Sequence, residues 1–133
     1  MNMNPAKSSY QDLQVWQVSV ELVVDCYRMA KQFPSIERFG LETELLRCAM
    51  TIPKSIADAW ARRNTGIYLE NITTSLGAIA QLETQILVAE KLNYCNPGQR
   101  HSLTEKMESI KWALIQMRRS LMRPAETRQA EPT

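Results

Sequence analysis

The side chains able to do chemistry in this chain are mostly cationic. Arg47, Lys54, Arg62 and Arg63 recur along one stretch, and Lys111, Arg118, Arg119 and Arg123 crowd a second near the C-terminal end. Guanidinium and ammonium groups repeated at helical spacing suit a polyanion, above all the phosphate backbone of a nucleic acid. In the first stretch Arg47, Thr51, Lys54, Asp58 and Arg62 share one helix face, diluted by Asp58 and Glu44. That face reads either as a solvated helix back or as an anion-facing stripe. In the second, no acidic residue occurs from Ser109 to Arg123. Cations at a helix C-terminus meet the macrodipole favourably, an explanation that does not require four of them.

Other chemistries find little support. Glu83 falls on an apolar helix face, where a carboxylate is costly unless paired or well hydrogen-bonded. The reading we favour is a buried structural carboxylate, held in an ion pair or capping a neighbouring chain's backbone. The alternative, a general acid or base, needs a second group nearby, and no residue stands at a persuasive spacing. Cys26, Cys48 and Cys95 are far apart and form no C-x-x-C pair, and His101 is the one histidine. These read as buried thiols in a reducing compartment, with no metal site. Neither a phosphate loop, a nucleophile elbow nor a dinucleotide fingerprint occurs. We therefore expect no enzymatic activity and no cofactor.

The elements that must position these residues are helices. The chain has 133 residues, one domain's length, with 44% hydrophobic and 23% charged residues and only four glycines. Its net charge of +2 is too balanced to argue nucleic-acid binding by itself. No apolar run is long enough to span a bilayer, and the N-terminus lacks the apolar core of a signal peptide, so we expect a cytoplasmic protein with no membrane partner. Residues 1–9 and 123–133 are polar and expected to be disordered, flanking a bundle over residues 10–122.

The sequence predicts four helices. The first runs from Tyr10 to about Phe33, capped by Asp12 and ended by Pro34. A second, capped by Ser35, ends near Arg63. Its stripe of Leu41, Leu45, Cys48, Ala49, Ile52, Ile56 and Trp60 stays in phase across Pro53, which predicts one long helix kinked there. After a cap at Asn64 or Thr65, the third extends from about Gly66 to Leu92, with Leu69, Ile72, Leu76, Ile79, Ala80, Ile86 and Leu87 on one face. Asn96 and Pro97 start the fourth, which carries Leu103, Met107, Ile110, Leu114, Met117 and Leu121 to its end near Leu121. Short links favour antiparallel neighbours, hence an all-α, antiparallel up-down-up-down four-helix bundle.

Helix 1 carries more apolar surface than one small bundle can hide. Leu13, Trp16, Val20, Val23, Val24, Tyr27 and Ala30 form one stripe, and Val15, Val18, Leu22, Cys26, Met29 and Phe33 another, together covering about 200° where about 100° suffices. Either helix 1 is central within the monomer or one stripe meets a neighbouring subunit. We expect the latter, through Val15, Val18, Leu22, Met29 and Phe33. Trp112, off the stripe of helix 4, reads as a subunit or partner contact or as a partly covered surface aromatic.

The segments Tyr10-Gln-Asp-Leu-Gln-Val-Trp16, Phe33-Pro34, Arg38-Phe-Gly-Leu41, Arg47-Cys-Ala-Met-Thr-Ile-Pro53, Ser55-Ile-Ala-Asp58, Ala80-Gln-Leu-Glu83 and Leu92-Asn-Tyr94 occur in this order. With them the chain resembles the small four-helix-bundle proteins encoded in intervening sequences of bacterial 23S ribosomal RNA genes. Ser55 stands where that family usually carries Asn, and Ala59-Trp60 where it has a small turn. The resemblance implies an antiparallel bundle, a ring-shaped homopentamer and a link to nucleic acid. It also implies distant kinship with the accessory proteins of diversity-generating retroelements, which bind nucleic acid and a reverse transcriptase. The expected function is a non-catalytic homo-oligomer that binds RNA or DNA without sequence preference; the alternative is a scaffold for a protein partner such as a reverse transcriptase.

Overall fold

The structure is a computed structural model that describes residues 9–123. Four helices, α1 (Gln14–Ala30), α2 (Leu41–Arg62), α3 (Thr65–Lys91) and α4 (Pro97–Leu121), account for nearly all of it, and the described residues include no strand. Each helix packs on its neighbours in sequence and α4 closes back on α1, while the diagonal pairs do not touch. With links this short the helices alternate in direction, giving the expected up-down-up-down bundle.

The core is the set of inward stripes. Leu22 and Cys26 from α1, Leu45 and Ile52 from α2, Ile79, Leu82 and Ile86 from α3, and Met107, Ile110 and Leu114 from α4 are all fully buried. Removing such side chains from water is what offsets the entropy of ordering the chain. The stripe expected on α4 is the one buried, with Met117 and Leu121 packed at its edge. On α3 the buried line is displaced from the expected one. It runs through Ile72, Ser75, Ala78, Ile79, Leu82, Ile86 and Ala89, which leaves Ala80 and Leu87 exposed.

The helix ends follow local chemistry. Asn64 accepts a hydrogen bond from the Ile67 N–H at 3.0 Å and starts α3. Asn96 and Gln99 form a reciprocal capping box, with Pro97 in the first turn of α4. The ends of α1 and α2 depart from expectation. Asp12 is not a cap: Ser9 caps a 3-10 turn over Tyr10–Asp12, and α1 starts after Leu13 without a side-chain cap. Helix α1 stops at Ala30, and Ser35–Glu37 is a second 3-10 turn, so α2 begins only at Leu41. Pro34 accounts for the first of these, since it disfavours helix at Phe33. Helix α2 continues unbroken through Pro53, whose ring is buried. Of the two segments expected to be disordered, only Ser9 and Arg123 fall within the described residues.

Candidate nucleic-acid and subunit interfaces

The topology brings the two basic stretches together. Helices α2 and α4 run in the same direction, so Arg62 and Arg63 at the end of one lie at the same end of the bundle as Arg118, Arg119 and Arg123 at the end of the other. Arg63 occupies the left-handed region at φ 53°, turning the chain sharply from α2 into α3. Arg47 and Lys54 stand apart, on the exposed back of α2. Arg47 borders a polar groove that α2 forms with α3, lined also by Thr51, Thr74, Gln81 and Gln85.

Ion pairing separates these cations into two groups. Lys111 reaches Glu108 at 3.0 Å and Glu83 at 3.2 Å, bridging α4 to α3. Its hydrogen bond to Glu108, helped by Glu83 against partial burial, holds its ammonium pKa above the usual lysine range. Arg62 donates to Asp58 at 2.8 Å, and Asn71 donates to Asp58 at 2.8 Å and to the Ser55 carbonyl at 3.0 Å. Arg62 and then Asn71 hold the Asp58 carboxyl below its usual range. Asp58 thus ties α2 to α3. By contrast, Arg47, Lys54, Arg63, Arg118 and Arg119 make no ion pair among the described residues. Glu83 needs correcting as a buried carboxylate. It is only partly covered, because it faces the α3–α4 seam and not the core, and there it meets Lys111 as one of the two favoured readings required.

The apolar surplus of α1 is real but lies on the other stripe. Val15, Leu22, Met29 and Phe33 are buried in the chain's own core, and Val18 packs against it, so these residues do not face outward as expected. The reason is that α1 turns this stripe toward its two neighbours, α2 and α4, with Ser19 and Cys26 buried beside it. What remains outside is Trp16, Val20, Val24 and Tyr27, with Val24 40% and Tyr27 49% exposed. Trp16, Val20 and Val24, together with Tyr10, Val23, Met50, Pro53 and Ala57, line a groove between α1 and α2 of about 300 Å³, in which Lys54 is the one charged residue. Tyr10 packs edge-on against Trp16, with ring centroids 5.2 Å apart, and closes one end. The α2 wall was missed in the sequence, although Leu46, Met50, Pro53 and Ala57 recur at helical spacing as a second, weaker stripe. Trp112 projects from α4 and is 65% exposed.

The connection from α1 to α2 was also not anticipated. Glu37 accepts the Leu41 N–H at 3.2 Å with one oxygen and the Tyr94 hydroxyl at 2.9 Å with the other. The Tyr94 ring packs on Phe33, and Thr43 donates to the Arg38 carbonyl. This fixed turn presents Ile36 and Phe39, 84% and 91% exposed. Phe33, Leu41 and Tyr94 belong to the segments that carry the family resemblance, so those segments mark structural contacts.

The three thiols are buried. Burial pushes the Cys26 pKa up to about 12, and also raises that of Cys48, whose S–H donates to the Ala78 carbonyl at 3.0 Å. No group of metal-ligating side chains occurs among the described residues, and no helix is long and apolar enough to cross a membrane.

A four-helix bundle whose motif residues Phe33, Leu41 and Tyr94 fasten its helices and turns together defines a class of small helical proteins. The chain belongs to the 23S rRNA-intervening sequence protein family, whose model matches residues 11–116. Among curated proteins none matches it.

Proposed function

We propose that the chain is a non-catalytic, cytoplasmic subunit of a homo-oligomer, a pentamer by the family resemblance, that binds the phosphate backbone of RNA or DNA without reading sequence. The observation that carries the binding half is the convergence of Arg63, Arg118 and Arg119 at one end of the bundle, without carboxylate partners there. Repetition around an oligomer multiplies a patch that is weak in one copy. Arg123 belongs to the same end, and Arg47 and Lys54 extend the charge along α2. Lys111 and Arg62 hold carboxylates already and contribute less. The assembly half is supported by the apolar groove between α1 and α2, since soluble monomers rarely leave such a face open. A mobility-shift titration with duplex DNA and with structured RNA at two salt concentrations tests the proposal. Binding that weakens steeply with salt is expected, and no binding to either at low salt would overturn it.

Ile36 and Phe39 favour a second reading, a scaffold for another protein such as a reverse transcriptase. Exposed apolar side chains on a fixed turn are suited to anchor a protein partner. A nuclease-resistant complex lost on Phe39→Ala would favour this reading over the first.

A further inference from the structure

Neither the core nor the basic end explains the apolar groove between α1 and α2 or the exposed Trp112. We infer that Trp112 of one copy seats in the α1/α2 groove of the next, so that copies join head to tail. This rests on the self-association proposed above and names its contact.

The two features complement each other in chemistry. The groove is lined by Trp16, Val20, Val24, Met50 and Pro53, and its volume of about 300 Å³ has room for a large aromatic ring. Buried tryptophan is among the side chains that contribute most at protein interfaces, and here the indole is 65% exposed with no cover of its own. Within one chain the two cannot meet. Trp112 projects outward from α4, and α4 does not touch α2, which forms one wall of the groove.

They also match in height. The Lys106–Asp25 ion pair, 2.7 Å, fixes the register of α4 against α1. Trp112 lies six residues along α4 from Lys106, about 9 Å at 1.5 Å per residue. The same step along antiparallel α1 leads from Asp25 to Ser19, beside Val20 and midway between Trp16 and Val24 of the groove. A closed ring allows no net translation along its axis, so with bundles standing along that axis the projecting ring and its receptor must be level. Of the other exposed aromatics, Tyr27 belongs to α1, the helix that forms one wall of the groove, and Phe39 fails this condition. It precedes the start of α2, and Met50 lies about 14 Å further along that helix than Leu41. The contact pairs two different surfaces, so every copy offers one of each.

Sedimentation velocity on the full chain tests the contact with two variants, Trp112→Lys and Val24→Lys. Both positions are exposed enough to accept lysine, and an unchanged far-ultraviolet spectrum confirms the fold. Met50→Lys serves as a second groove variant. The wild type is expected to sediment as a multimer. Each variant alone is expected at single-chain mass, its association weakened at least about 30-fold. Mixed in equal amounts, the two should form pairs and nothing larger, because one intact tryptophan faces one intact groove. Trp112→Phe should retain assembly. A wild type that runs as a single chain overturns both this contact and the self-association. A multimeric wild type with a multimeric Trp112→Lys variant overturns the contact alone. Variants that dissociate singly and stay single when mixed overturn the head-to-tail pairing.

Discussion

Replacing Arg118 and Arg119 together by glutamine tests the basic end quantitatively. Each unpaired arginine that neutralises one duplex phosphate contributes about −0.9 to the slope of log K against log salt. Arg63, Arg118 and Arg119 of one chain therefore give a slope near −2.7, so binding weakens about 40-fold between 50 and 200 mM salt. The double variant loses two of these three contacts, so its slope should be shallower by about 1.8, whatever Arg123, Arg47 and Lys54 add to both proteins. In an assembly the contacts that reach one duplex add, and the difference between the two proteins grows. The control is Lys111→Gln. Lys111 is held by Glu83 and Glu108 at 3.2 and 3.0 Å, so its removal should leave the slope where it was. Fluorescence anisotropy with a labelled duplex across five salt concentrations measures all three proteins. An unchanged slope in the double variant, or an equal fall in the lysine variant, would refute the assignment.

Three further outcomes concern stability. The Cys26 thiol, raised to about 12 by burial, binds its proton in the folded chain where the unfolded thiol has lost it, so stability should fall as pH rises from about 9 to 12. The three units correspond to roughly 4 kcal/mol at most, and Cys26→Ala should flatten the alkaline limb in denaturant melts at stepped pH. Leu82→Ala, at a fully buried α3 position, should cost about 2–5 kcal/mol, read as an earlier urea midpoint with little change in its slope. Arg63→Gly should stabilise the chain by about 1 kcal/mol, because the left-handed φ of 53° suits glycine; a lower melting temperature in calorimetry would contradict this.

Much of the bundle was legible because its signals are local. The caps at Asn64 and Asn96 and the stripe of α4 each depend on residues within a turn or two. The surplus on α1 was legible in amount and not in direction. Two apolar stripes on one helix look alike until the partner helices are placed, and the placement buries Val15, Leu22 and Met29 while leaving Val24 and Tyr27 outside. Glu83 was misjudged for a similar reason. A face read at 100° per residue has an edge as well as a centre, and Glu83 sits at the edge, where Lys111 reaches it. The roles of Glu37 and of the arginine-bearing end depend on residues 50 or more positions apart, which no periodicity reveals.

The hydrogen bond from Tyr94 to Glu37 divides the chain into two helical hairpins, α1–α2 and α3–α4. At one end they are joined by the covalent turn through Arg63 and Asn64; at the other, the same carboxylate that meets the first residue of α2 latches them. The molecule is hinged like a book, with its spine at the arginines and its clasp at the far edge. For a hairpin to swing open and close upon another copy's, this clasp would have to part together with the shared core and the Lys106–Asp25 and Asn71–Asp58 ties, so the phenol-to-carboxylate contact is one of several guards against domain exchange.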